Sequence, residues 1–308
     1  MTSLRPQRLD DYIGQEPIKD VLRTEIEAAK KLKEPIDHIL LNGPPGLGKT
    51  TLARIIAKEL GLPIKVAIGG SIKVTGDVQY LVFGLTKQSI VFIDEVHRVG
   101  KPAQEVMYPV LEDGVYHYKL GQSVTEIELP ALTVIGATTH VGKLARPFVD
   151  RFGLQFQLEY YSDDEMFRLL SSSITKLEID MSQGALLEVI SRCRATPRIG
   201  NRLLRRLRAY NVAKGIDLYD PSVVAEILWK KFHLDKKGLL PLDRRVLRIL
   251  DQVGGPLGIE SIAAMVGEAG ETVEDSVEPY LLRLGFIARH SRGRMITQAG
   301  RDHLRDVR

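Results

Sequence analysis

The chain has 308 residues, of which 44% are hydrophobic and 27% charged, with a formal net charge of +4. That is ordinary composition for a soluble protein of two or three domains, and no apolar run approaches the roughly 20 residues that cross a bilayer. The single Cys193 excludes an internal disulfide and a cysteine-rich metal site, and the first residues lack a signal-peptide stretch, so a cytoplasmic protein is expected.

Residues 1–20 read as an entry segment, in which Pro6 blocks an early helix and Tyr12-Ile13-Gly14 makes a compact turn. Over 17–33, Ile18, Val21, Leu22, Ile26 and Ala29 recur near a 3.6 period and predict a helix. Strands are then expected at 38–42, 64–68, 90–94 and 132–137, and helices at 50–60, 76–85 and 102–112. Short apolar strands between helices imply a mainly parallel sheet covered on both faces. Two β-like runs, 115–120 and 124–129, flank Gly121-Gln-Ser123 and read as a β-hairpin inserted in this α/β domain. Residues 163–236 read as helical, with a cap at Ser162-Asp-Asp-Glu165 and a break at Thr196-Pro197. Helices at 241–253, 259–266 and 271–284 precede two short β runs around His290-Ser-Arg-Gly293, the pattern of a winged helix. From Arg289 onward six arginines face only Asp302 and Asp306, which suits a polyanion or a solvated, disordered tail.

Gly43-Pro-Pro-Gly-Leu-Gly-Lys-Thr50 fits the phosphate-binding loop G-x-x-x-x-G-K-[ST], and it lies between a predicted strand and a predicted helix. Backbone N–H groups around Gly46 and Gly48, with the helix dipole, suit phosphate oxygens. Lys49 adds charge at the β and γ phosphates, and the Thr50 hydroxyl is placed for Mg²⁺. Ile90-Val-Phe-Ile-Asp94-Glu95 puts two acids at the carboxyl end of a buried strand, the edge where open α/β sheets bind ligands. Asp94 suits Mg²⁺, directly or through water, and Glu95 suits a general base that polarises the attacking water. A further apolar strand ends in Thr138-Thr139, either of which could orient that water, although a Thr-capped strand end reads the same way. Arg151 is either an arginine finger for a neighbouring subunit or half of a local pair with Asp150. Arg198, after Pro197, either reaches the γ-phosphate or belongs to a solvated basic helix face.

In this order and spacing, the motifs resemble the RuvB-type branch-migration ATPases of the AAA+ superfamily along essentially the whole chain. The most specific stretches are Thr196-Pro-Arg-Ile199, Asn201-Arg-Leu-Leu-Arg-Arg206, Glu278-Pro-Tyr-Leu281 and Leu284-Gly-Phe-Ile287. The resemblance implies an AAA+ large domain at 1–158, a helical lid at 159–236 and a DNA-binding winged helix at 237–308. It implies a hexamer that hydrolyses ATP with Mg²⁺ between subunits while moving double-stranded or branched DNA. By matching position, Leu4, Arg5, Tyr12, Ile13 and Tyr161 would lie around the nucleotide. Gly46, Gly48, Lys49, Thr50 and Thr51 would hold its phosphates and Mg²⁺. Glu95 and Thr139 would act on water, Arg198 would sense the γ-phosphate, and Arg151 would act in trans. Arg289, Arg292 and Arg294 would meet DNA from the wing. The sequence departs from the family at Gly114, His140, Val149, segment 69–83 and a hairpin several residues shorter. The family's hairpin binds its adaptor, RuvA. Here the expected recruiter is either a RuvA-like protein or a different adaptor, with an ATP-dependent loader on DNA as the remaining alternative.

Overall fold

In the computed structural model the described residues are 4–120 and 123–306; Gly121 and Gln122 of the hairpin tip, and Arg308 of the basic terminus, lie outside them. The chain divides into two compact units. One runs to Leu169 and includes Thr196–Arg198; the other comprises Leu170–Ala195 and Ile199–Arg308.

In the first unit, α1 (Glu16–Leu32) buries Ile18, Leu22, Ile26 and Ala29 along one stripe, as their spacing dictates. Strand β1 (Ile39–Asn42) leads through the glycine loop into α2 (Lys49–Leu60), which Gly61 ends in a left-handed cap. Then come β2 (Ile64–Ile68), α3 (Thr75–Phe83), β3 (Ser89–Asp94) and α4 (Lys101–Glu112). The antiparallel hairpin of β4 (Val115–Leu120) and β5 (Ser123–Glu128) follows, and then β6 (Leu132–Thr138). A short helix, α5 (Arg146–Val149), precedes β7 (Leu154–Gln157), an edge strand beyond the four that periodicity marked out. The sheet order is β2-β3-β6-β1-β7, and every pairing is parallel. β6 is buried along its whole length, and β3 is buried up to Asp94, as expected for strands covered on both faces. One core, around Val91, Ile93, Val134, Phe148 and Phe152, packs α3, α4 and the hairpin root against the sheet.

The helices that follow are α6 (Asp163–Leu177), α7 (Gln183–Ile190), α8 (Pro197–Lys214) and α9 (Pro221–Lys230). Ser182 caps α7 through Ala185 N–H, and Asp220 caps α9 through Ser222 N–H, so each start is set by a side chain. Pro197 opens α8, where its missing N–H costs nothing.

The last part of the second unit has its own core, built on Leu247, Leu250, Ile262, Val277, Leu281, Ile287 and Leu304. Its elements are α10 (Pro241–Val253), α11 (Ile259–Val266), a helical run over 270–283, and a hairpin of β8 (Ile287–His290) and β9 (Gly293–Ile296). The helical run is π-helical over Val273–Val277 rather than continuous. A final helix, α12 (Gln298–Asp306), stands where the charge pattern allowed a disordered tail; burial of His303 and Leu304 on α12 ties it down. Apolar spacing here is too short to announce a helix, and the arginine-rich composition masks it.

Candidate nucleotide-hydrolysing site

The loop before α2 is built from backbone that side chains rarely adopt. Gly43, Gly46 and Gly48 have φ of 141°, 85° and 109°. A Cβ on Gly48 would sit 2.5 Å from the Tyr12 hydroxyl, and one on Gly46 would collide with Thr196 and Arg198. Close approach and left-handed φ both require glycine here. The Tyr12 and Tyr161 hydroxyls lie 3.1 and 3.0 Å from the Leu47 carbonyl, whose two lone pairs accept both. Burial, reinforced by their mutual contact at 3.2 Å, raises the Tyr12 pKa; burial pushes Tyr161 up to about 12. Both phenols are therefore neutral clamps on the loop. Buried Lys19 in turn holds the Tyr12 carbonyl at 2.7 Å and Glu16 at 2.7 Å.

Lys49 is buried and donates to the carbonyls of Gly43 at 2.5 Å and Pro44 at 2.9 Å. Burial lowers its pKa to about 8, against the raising influence of Glu95 and Asp94, while nearby Arg198 lowers it further. Arg198 thus lies beside the loop, packed against Gly46. Thr51 follows as a half-buried residue of α2, and Ile13 is half-buried beside Tyr12. Leu4 is half-buried and Arg5 exposed, at the start of the described chain.

Strands β1, β3 and β6 are neighbours, so their carboxyl ends meet at this loop. Thr50 Oγ1 lies 3.4 Å from Asp94 Oδ2. A hydroxyl and a carboxylate are hard oxygen donors that suit Mg²⁺, an ion that takes few protein ligands and completes its shell with water and phosphate. The described residues hold no cluster of three or more His, Cys, Asp or Glu that could hold a metal ion. Glu95 leaves β3 in a left-handed conformation, φ 53° and ψ 47°. Its Oε2 is 3.5 Å from Thr139 Oγ1 and 3.3 Å from His97 Nε2. Thr138, the other hydroxyl the sequence left open, is fully buried and contacts His97 Nδ1 at 2.9 Å, so Thr139 is the one that faces Glu95.

Arg151 does not join this cluster. Its guanidinium donates to the Pro147 carbonyl at 2.6 Å and to Glu112 at 2.8 Å, and it lies 4.3 Å over the Tyr108 ring. The local partner is therefore Glu112 of α4, far away in sequence, and not Asp150. At the wing, Arg289 and Arg294 both bind Glu278, whose side chain is 1% exposed, at 2.7 and 2.9 Å. Arg292 is exposed in the two-residue tip between β8 and β9 and makes no ion pair among the described residues.

Sequence reasoning missed His97, Lys19 and Glu278. His97 stood next to a recognised motif, but its partners come from β6. Lys19 and Glu278 had no role assigned to their charges, because burial of a charged residue leaves no trace in periodicity.

Three family models cover the chain: the Holliday junction DNA helicase RuvB P-loop domain at 4–158, the RuvB AAA lid domain at 161–233 and the RuvB C-terminal winged helix domain at 236–305. The Holliday junction branch migration complex subunit RuvB of Synechococcus sp. (strain RCC307) is 43% identical over 98% of this chain and 89% of its own length. The Thermotoga maritima RuvB Holliday junction branch migration motor is similar in structure, with 36% identity, a TM-score of 0.88 and 98% of each chain covered. A Pro-to-Gly variant of that protein gives a TM-score of 0.90 at 36% identity, with 98% of each chain covered. A P-loop domain, a lid domain and a winged helix domain thus match in order along the chain, which belongs to the RuvB family of AAA+ ATPases.

Proposed function

We propose that this protein is an ATP-driven motor that moves duplex DNA for branch migration of Holliday junctions. The observation that carries the reading is the cluster Thr50–Asp94–Glu95–Thr139 at the mouth of the glycine loop, in a chain that also ends in a winged helix. The loop's N–H groups and Lys49 bind the β and γ phosphates of ATP. Thr50 and Asp94 would hold Mg²⁺, which neutralises phosphate charge when bound. Glu95 takes a proton from water as its oxygen attacks the γ-phosphorus; the bond to the bridging oxygen breaks and ADP departs with the electron pair. Thr139 orients the water, and Arg198 senses the γ-phosphate from the same chain.

Arg151 serves the site of an adjacent copy in a ring, probed below by mixing subunits. A hexamer is the proposed assembly. Three working modules, 1–158, 159–236 and 237–308, divide hydrolysis, sensing and DNA contact. DNA is held by its phosphates at the wing, through Arg292 and the exposed part of Arg289, with Arg294 in support. Phosphate contacts position the protein without reading sequence.

A different recruiter from RuvA is favoured by one feature of the hairpin. The face carrying His117, Lys119, Glu126 and Glu128 is exposed and charged, with Val124 the one exposed apolar residue on it among the described residues. Such a face fits an adaptor with complementary charge.

The test is a four-way DNA junction with ATP and Mg²⁺. The protein should dissociate the junction with DNA-stimulated hydrolysis. Lys49→Ala should lose nucleotide binding, and Glu95→Gln should bind ATP and hold it. Hydrolysis that proceeds with no DNA binding would defeat the motor reading.

A further inference from the structure

The base assigned to Glu95 is held by an arrangement that neither the loop motif nor the paired acids contain. Its backbone is fixed first. Glu95 N–H donates to Asp94 Oδ1 at 3.1 Å, and its carbonyl accepts from Arg98 N–H at 2.8 Å. Gly69 packs so closely on the Glu95 carbonyl that a Cβ there would overlap it. A glutamate at φ 53° is a strained backbone that persists only where the surroundings over-determine it.

The side chain is bounded next by a run of polar contacts. Thr138 Oγ1 accepts from His140 N–H at 3.0 Å and lies 2.9 Å from His97 Nδ1. When the Thr138 hydroxyl donates to Nδ1, the His97 proton lies on Nε2, which sits 3.3 Å from Glu95 Oε2. The His97 side chain is 8% exposed and packs edge-on against the His140 ring, 5.1 Å between centroids, so it has little freedom to swing away. The Thr139 hydroxyl lies 2.8 Å from His140 Nδ1 and 3.5 Å from the same Glu95 Oε2. Both polar contacts described for the Glu95 carboxylate fall on Oε2. Oε1 is the oxygen left to meet water.

We infer that His97 is a positioning residue for hydrolysis: as a neutral Nε2–H donor backed by Thr138, it fixes Glu95 so that Oε1 faces the attacking water. The inference rests on Glu95 being the base. A buried donor locked by its own second hydrogen bond sets orientation without exchanging protons with substrate, as supporting residues around catalytic groups do.

The experiment uses the full chain with duplex DNA, measuring kcat and KM for ATP and the Kd of a non-hydrolysable ATP analogue. His97→Leu should lower kcat about 10- to 100-fold, a part of what a general base supplies, with analogue Kd unchanged within about twofold. His97→Gln, whose amide N–H can replace the Nε2 donor, should recover most of the loss. In a Glu95→Gln background, His97→Leu should add no further loss, because there is no base left to aim. Equal losses in both backgrounds, weakened analogue binding, no rescue by Gln, or a kcat that is unchanged or raised would each overturn the positioning role. Failure of the underlying reading looks different. If Glu95→Gln by itself hydrolyses at the full rate, the base assignment falls and the role of His97 falls with it.

Discussion

At the scale of single residues, the site depends on close approach as much as on functional groups. Gly48 is a case where both conformation and space forbid a side chain, with φ of 109° and the Tyr12 hydroxyl where a Cβ would lie. Gly48→Ala should destabilise the fold by about 1–3 kcal/mol from backbone strain. It should also weaken ATP binding, because the loop N–H groups are displaced. Thermal unfolding and nucleotide titration check the two effects separately; a variant that keeps native affinity would show that the Tyr12 clamp does not shape the loop. The glycine loop was legible because its residues act through adjacent backbone, so spacing alone encodes them. Arg151 and His97 were legible only in part. Each owes its geometry to a strand or helix distant in sequence, Glu112 and Tyr108 in one case and Thr138 in the other.

Elements divide the basic residues of the wing into two kinds. Arg294 lies on β9 and reaches back to buried Glu278 with two donors, at 3.1 and 2.9 Å. Its N–H also pairs with Leu257, anchoring the hairpin to the chain before α11. Burial opposes ionisation of Glu278, but hydrogen bonds and charge from Arg294 and Arg289 overcome it and lower its pKa. Arg294→Ala should therefore cost about 2 kcal/mol of stability, the worth of a hydrogen bond to a charged group. Arg292→Ala should leave unfolding unchanged within about 0.5 kcal/mol. It should lower the salt slope of DNA binding by about 1 if it meets a phosphate. Denaturant unfolding alongside DNA titrations at several salt concentrations separates these outcomes. An equal DNA defect in both variants, with equal stability, would argue against the division. Helix periods and cap residues revealed α1, α2, α10 and α11 within a residue or two. α12 escaped because its nine residues, with two arginines and two aspartates, carry too little apolar pattern for a sequence-level decision.

At the scale of the whole molecule, hydrolysis is proposed to need two chains. Arg151 sits on α4 partners in its own subunit, and its proposed contribution to catalysis is at a neighbour's site. Arg151→Ala and Glu95→Gln should each be inactive alone. Mixed in equal amounts, they should recover a measurable share of hydrolysis, because some interfaces pair an intact Glu95 with an intact Arg151. Activity no greater than the sum of the separate variants would make Arg151 structural. The order of the central sheet has a further consequence, in time rather than in space. β1 carries the phosphate loop but pairs with β6 and β7, about a hundred residues later in the chain. Pairing across such separations is slow, and a chain emerging from synthesis cannot complete it until β7 is available. For about a hundred residues of its synthesis the nascent chain therefore holds a complete phosphate-loop sequence beside a strand with no neighbours. The site that powers the motor is among the last parts of its domain to exist.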